Sequence, residues 1–314
     1  MISQEFRRLK KAGVLGINSR NADYIMRCNP RSFFPRVDNK MVTKKLAETH
    51  HIPTPPLYYV VEKHGDIAGL QEALRGHCEF VVKPARGSGG SGIVLVKGRM
   101  EVGYVTQSGE IISFENFSYH VSEILSGIFS LSGLEDFAIV EALIHPDPIF
   151  AAVTFLGVPD VRIVVYLGVP VMAMVRLPTK ASDGKANLHR GAIGAGIELA
   201  EGVTISAVHL SQVITHHPDT ANPVSGIQVP YWEKMLWMAA ETFEITGLGY
   251  LGVDLVIDKD RGPLLLELNA RPGLAIQLAN GKGLRKRLDQ VDRAPLGTFA
   301  TPEARVKWAL NNFQ

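Results

Sequence analysis

The chain has 314 residues, 46% of them hydrophobic and 20% charged, with a formal net charge of +2. That length carries two or three subdomains with cores of their own, and a charge so near zero gives no ground for nucleic acid or a membrane surface as the main partner. Cys28 and Cys78 are too few for a disulfide framework and suit a reducing cytoplasm; no apolar signal segment opens the chain, and no run reaches the roughly 18 apolar residues of a spanning helix.

Residues 1–14 read as a short helix. Its basic run, Arg7, Arg8, Lys10 and Lys11, suits a solvated face, with a membrane or partner contact as the alternative. Residues 39–50 read as a helix that stops before Pro53, Pro55 and Pro56, which cannot continue it. Leu57–Val61 reads as a strand and Ile67–Arg75 as a helix. Phe80–Pro84 is a strand running into the glycine turn Gly87–Gly92, and Ile93–Val96 is the next strand. A dinucleotide fold needs a helix after its glycines, so this loop is of another kind. Its backbone N–H groups suit a phosphate cradle, with a plain flexible turn as the alternative. Lys83, just upstream, suits an anionic phosphate or is a surface strand lysine.

Gly103–Ser113 reads as a hairpin, residues 117–129 as a helix, and residues 137–144 as a strand. Asp160–Arg176 is a two-strand hairpin turning at Gly168. Its Arg162 and Arg176 suit either paired phosphate contacts or a cross-strand salt-bridge network. Residues 178–196 form a Gly-rich polar loop that reads as a lid, and Tyr231–Thr246 is an amphipathic helix. Two apolar strands follow. Alternation turns Asp254 away from Val253, Leu255 and Ile257. The same rule puts Leu264, Leu266 and Leu268 on one face, and Leu265, Glu267 and Asn269 on the other. Three oxygen donors on two buried strands suit a divalent cation held with phosphates, because Mg2+ takes one or two carboxylates plus phosphate oxygens. A satisfied polar cluster is the alternative.

This order of features resembles the ATP-grasp superfamily from about Asn39 to Gln277. The resemblance is carried by Asn39-Lys40, Val82-Lys83-Pro84, Gly87–Gly92, Glu141-Ala142-Leu143-Ile144, Asp160-Val161-Arg162, Asn187-Leu188-His189-Arg190-Gly191, Asp254, and Glu267-Leu268-Asn269-Ala270-Arg271-Pro272-Gly273. The segment Asn187–Gly191 is similar to the ribosomal-protein glutamate ligases and their alpha-L-glutamate-ligase-like relatives. His217-Pro218-Asp219-Thr220, the stretch Gly226–Glu233 and Gln277 resemble the branch called sugar-transfer-associated.

The resemblance implies an α/β (α+β) ATP-grasp fold, two α+β subdomains gripping ATP. Residues 1–56 would be a short N-terminal helical region, 57–145 the small subdomain with the Gly-rich loop, and 146–314 the C-terminal subdomain with the metal site. It implies ATP and one or two Mg2+ ions, or Mn2+ in their place. Lys40 and Lys83 would touch the phosphates, and Gly87, Ser88, Gly89, Gly90, Ser91 and Gly92 would close over them. The backbone of Ala142 and Ile144, beside Glu141, would read the adenine edge. Arg162 would hold the γ-phosphate, and Asn187 and Arg190 would contact phosphate or the acyl intermediate. Asp254, Glu267 and Asn269 would carry the metal, and Arg271 would sit near the acceptor carboxylate. His189 is a proton carrier or a loop histidine bonded to backbone.

The implied reaction is attack of a carboxylate on the γ-phosphate, giving an acyl phosphate and ADP, then attack by an amine. Glutamate or another amino acid would be added to a peptide, a protein or an envelope precursor in the cytoplasm. A non-ligating ATP-binding regulatory or scaffold module is the alternative. Two departures stand out. Superfamily ligases usually carry an α/β domain before the Asn-Lys helix, whereas 38 residues precede Asn39, a truncated N-terminal region that a partner chain or a homo-oligomer would complete. An acidic residue to hold the ribose is not evident, Asp147 being the nearest.

Overall fold

The computed structural model describes residues 4–87, 89–130, 133–295 and 297–313. The chain divides into two compact units. The smaller comprises Asn39–Lys44 and Thr54–Ile144; the larger takes the residues up to Asp38, Lys45–Pro53, and those from His145 onward.

The smaller unit is built on β1 (Leu57–Val61), β2 (Phe80–Pro84), β3 (Val94–Met100), β4 (Gly103–Thr106), β5 (Ile111–Ser113) and β6 (Ala138–Glu141). They form one antiparallel sheet in the order β1-β6-β2-β3-β4-β5. Alternation along β2 sends Phe80 and Val82 into an apolar core with Leu70 of the helix Ile67–Ala73 and Phe117, Val121 and Ile124 of the helix Phe114–Leu125. The rings of Phe80, Tyr104 and Phe117 meet there edge to face. Lys83 and Glu141 fall on the opposite face. The second helix starts three residues before its expected position because Ser113 caps it, its Oγ accepting from Asn116 N at 3.1 Å.

The larger unit holds β7 (Asp160–Tyr166), β8 (Val169–Leu177), β9 (Ile193–Glu198), β10 (Val203–His209), β11 (Gln212–Ile214), β12 (Tyr250–Asp258) and β13 (Gly262–Asn269). Their order is β11-β10-β9-β8-β7-β12-β13, antiparallel throughout. Leu251, Val253, Leu255 and Ile257 of β12 enter one core with Met235, Leu236 and Ala239 of the helix Trp232–Thr246. The N-terminal helix Gln4–Ala12 buries none of its residues. The chain after it is fastened by Gln277, whose Oε1 accepts from Leu15 N at 2.8 Å while its Nε2 donates to Leu15 O at 3.0 Å. Among the described residues no helix is long and apolar enough to cross a membrane.

Two further expectations change. The polar loop ends at Ala192, because Ile193–Gly196 opens β9. Glycines that read as loop residues serve close packing instead: a Cβ at Gly196 would lie 2.5 Å from the carbonyl oxygen of Ala279 in the helix Ile276–Asn280. The alternation on β13 also breaks. Asp254 pairs with Glu267 but Leu255 pairs with Leu265, so a bulge at Leu266 takes one extra residue. Leu265 therefore joins Leu268 in the core rather than sharing a face with Glu267 and Asn269.

Candidate active site

In the smaller unit, Glu141 ends β6 only 1% exposed, and Lys83 lies on β2 at 6%. Val81 is the direct partner of Glu141, so Lys83 is its diagonal neighbour on the same face. Lys83 Nζ holds Oε2 of the carboxylate, and Lys44 Nζ holds Oε1 at 2.8 Å. Burial pushes the Glu141 carboxyl up, but the two ammonium groups outweigh it and hold the acid below its ordinary range. Lys83 is thus no surface lysine. Lys44 escaped the sequence reading, although it stands one helical turn after Lys40 in the helix Lys40–Thr49.

The glycine turn is anchored at both ends. The Asp136 carboxylate, 2% exposed, accepts from Arg86 N at 2.9 Å and from Phe137 N at 2.8 Å. Lys40 N donates to Ala85 O at 3.1 Å, and Lys40 Nζ donates to Gly87 O at 2.6 Å. At the far end Gly92 has φ +73°, and a Cβ there would meet the Phe129 ring at 2.6 Å. Its carbonyl accepts from His120 Nε2 at 3.0 Å. Gly87, Gly89, Gly90 and Ser91 lie along this stretch; Ser88 is outside the described residues. Beyond β6, Ala142 N donates to Pro56 O at 2.9 Å, so that amide has no hydrogen left for a base. The Ile144 amide has no acceptor among the described residues.

In the larger unit four charges lie in a row across β8, β7 and β12. Arg162 donates to Asp254 twice, Nε to Oδ1 at 2.7 Å and Nη2 to Oδ2 at 2.6 Å. Arg176 holds Asp160 with Nε at 2.5 Å and Nη2 at 2.7 Å, and reaches Asp254 Oδ2 at 2.7 Å. Burial pushes Asp254 up, but the two guanidinium groups pull it below the usual carboxylate value. Asp160 is raised to about 7, by burial first and by the neighbouring Asp254 charge, against the pull of Arg176. Glu267 is the direct cross-strand partner of Asp254. Asn269 donates Nδ2 to Asp254 Oδ2 at 3.2 Å. The cross-strand network considered for the two arginines is present. Sequence reading gave no role to Asp160, although it sits two residues from Arg162 on the same face of β7.

The other candidates lie outside this row. Asn187 caps a single turn, its Oδ1 accepting from His189 N at 3.0 Å, and His189 and Arg190 are exposed. Arg271 is exposed, its guanidinium 5.2 Å from the centre of the Phe34 ring.

The donor set fits Mg2+ shared with phosphate oxygens. Glu267 has no hydrogen-bonded partner among the described residues, and Asn269, donating through Nδ2, leaves its Oδ1 without a donor. Asp254 Oδ2 already takes three donors, whereas Oδ1 takes one. No group of three or more His, Cys, Asp or Glu among the described residues makes a protein-only metal cage.

Residues 19–293 match the family described as sugar-transfer associated ATP-grasp, the second of the two branches that the sequence resembles. No curated protein matches the chain. Among solved structures it is similar to the ATP-grasp ligase PsnB complexed with minimal precursor, at 13% identity over 83% of this chain and 61% of that one, with a TM-score of 0.43. It is also similar to a RiPP-associated ATP-grasp ligase from Chryseobacterium gregarium, in complex with ADP and a leader and core peptide (12% identity, 85% and 63%, TM-score 0.47). A third is D-alanyl-alanine synthetase A from Vibrio cholerae (12% identity, 91% and 68%, TM-score 0.45). The chain thus spans 61% of the length of the first of these ligases and 63% of the second.

Proposed function

The chain belongs to the sugar-transfer associated ATP-grasp family, and we propose that it is an ATP- and Mg2+-dependent ligase that activates a carboxylate as an acyl phosphate and passes it to an amine. The observation that carries this reading is the row Arg176, Asp160, Arg162 and Asp254 beside Glu267 and Asn269. It concentrates guanidinium donors and free oxygen donors on one sheet face. Such a face suits the terminal phosphates of a nucleotide with their counter-ion.

In this reading Glu267, Asn269 and Asp254, whose Oδ1 takes a single donor, would hold Mg2+, which would neutralise phosphate charge there. Arg162 and Arg176 hold the γ-phosphate. Lys40, Lys83 and the amides of Gly87–Gly92 grip the other phosphates, and Ile144 N, with its hydrogen available, reads the adenine edge in preference to Ala142 N. Asn187, Arg190 and Arg271 bind the reacting phosphate and the acceptor. The carboxylate oxygen attacks the γ-phosphorus and ADP leaves. The amine nitrogen then attacks the acyl carbon, phosphate leaves, and the nitrogen gives up a proton. No covalent enzyme intermediate is needed, so catalysis is positioning plus charge neutralisation. The carboxylate is that of an amino acid or peptide, glutamate among them.

The test is ADP release from Mg-ATP with pooled amino acids and short acidic peptides, with and without hydroxylamine. ADP accompanied by a hydroxamate supports acyl-phosphate chemistry. Tight nucleotide binding without ADP in any pool overturns the ligase reading.

A further inference from the structure

The stretch His217-Pro218-Asp219-Thr220 takes no part in either charge cluster. The side chains of His217 and Asp219 meet the chain at one place, the neck of the loop between β8 and β9. Pro178 and Lys180 flank Thr179 as the chain leaves β8. The Pro178 carbonyl accepts from His217 Nε2 at 3.1 Å and from Phe155 N at 3.0 Å. Lys180 N donates to Asp219 Oδ2 at 2.7 Å. Asp219 N donates to His217 Nδ1 at 3.2 Å. A carbonyl can only accept and an amide N–H can only donate, so the two contacts fix a neutral ring with its hydrogen on Nε2. His217 is 1% exposed, and its own turn is closed by His217 N to Asn222 O at 2.8 Å and Ala221 N to His217 O at 2.9 Å.

The loop is also closed on itself. Thr179 Oγ1 donates to Gly191 O at 2.7 Å, and Ala192 N donates to Asn187 O at 3.1 Å. Leu188 lies so close to β9 that a Cβ on Gly194 would stand 2.9 Å from its Cδ2. Asn187 and Arg190, on either side of that packed turn, are therefore carried by a frame whose base is His217 and Asp219.

We propose that His217 and Asp219 are positioning residues, which set the register of the loop 178–192 so that Asn187 and Arg190 meet the reacting phosphate. The catalytic half of this inference rests on the ligase reading above. A buried ring with both nitrogens committed to main-chain groups fixes the neck in a way a solvated contact cannot, and a displacement of about 1 Å in a phosphate-binding group costs on the order of a hundredfold in rate.

The experiment compares the parent with H217A, H217Q, D219A and D219N in two measurements. The first is trypsin cleavage after Lys180, Lys185 and Arg190 in the folded protein without nucleotide, mapped by mass spectrometry. The second is ADP formation, separated into kcat and the KM for ATP. The alanine variants should be cut in the loop about tenfold faster and lose about tenfold or more in kcat with KM little changed. H217Q keeps a donor for Pro178 O, and D219N keeps an acceptor for Lys180 N, so both should recover most of the loss. Asp219, with its side chain 21% exposed, can be replaced even if H217A does not fold. Alanine variants that melt cooperatively and are cut at the parental rate overturn the inference, as does faster cutting with unchanged kcat. Cleavage is read on the protein alone. A failed ligase reading would therefore show as a parent that forms no ADP, not as loss of loop protection in the variants.

Discussion

Arg162 and Asp254 face each other across β7 and β12 as a fork on a carboxylate, with both contacts under 2.8 Å. The proposed phosphate ligand and one proposed metal ligand thus hold each other. Arg176 shares the same carboxylate but keeps a second partner in Asp160.

Removing the charge from the buried Asp254 leaves two guanidinium groups, 13% and 11% exposed, facing a neutral amide. D254N is expected to lose about 3–5 kcal/mol of stability, as breaking a buried pair from one side does, and to form no ADP. Urea unfolding and ADP release check it; a loss below about 1 kcal/mol would mean that the row is loosely solvated.

Arg162 can leave Asp254 without stranding it, since Arg176 remains. R162M should bind Mn2+ more tightly than the parent in the absence of nucleotide, by about tenfold, because a resident cation has been removed from the site. Electron paramagnetic resonance of free Mn2+ measures this. Equal affinity in the two proteins would show that the metal does not use Asp254.

Glu267 and Asn269 hold up little of the fold, so their loss should be chemical. E267Q and N269A are expected to melt with the parent and to lose about a hundredfold or more in Mg2+-dependent ADP formation. Full activity in both would remove the metal from this face.

Glu141 sets an acid limit on the smaller unit. Its carboxyl is held below the ordinary value in the folded chain, so its ion pairs stabilise fully above the unfolded value near pH ~4.3 and are lost as pH falls through the lower folded value. K83M removes one of the two ammonium groups, which raises the folded value and should move acid unfolding to higher pH. A circular-dichroism pH titration of the two proteins decides it.

A methyl group at Gly196 has nowhere to go, with a backbone oxygen 2.5 Å away. G196A is expected to cost about 1–3 kcal/mol, read in urea, through displacement of the helix Ile276–Asn280.

Much of this was legible from residues in isolation. Prolines marked the stop of the Lys40–Thr49 helix and a glycine the turn at Gly168, and apolar alternation turned Asp254 away from its apolar neighbours and put Glu267 and Asn269 on one face. What was not legible depends on partners distant in sequence. The bulge at Leu266 is set by its register against β12, and β9 read as loop because its glycines answer to Ala279, more than eighty residues on. Asp136 gains its role only from the amide of Arg86, fifty residues before it. Lys44 and Asp160 carried a weak signal, one helical turn from Lys40 and one strand period from Arg162, which gains meaning only once Glu141 and Arg176 stand opposite.

The strand order also fixes a sequence of events in folding. From β7 to β11 each strand lies beside its predecessor in the chain, whereas β12 returns to the far edge of β7. Closing a short segment costs less chain entropy than closing a long one. The Asp160–Arg176 contact spans 16 residues and can form with its hairpin, whereas Arg162–Asp254 spans 92 and must wait for β12 to dock. Arg162 is therefore born next to a completed pair and without a carboxylate of its own. Nascent chains that stop short of Asp254 carry the Arg162 guanidinium on the open edge strand β7, and that cation attracts the late strand by its charge.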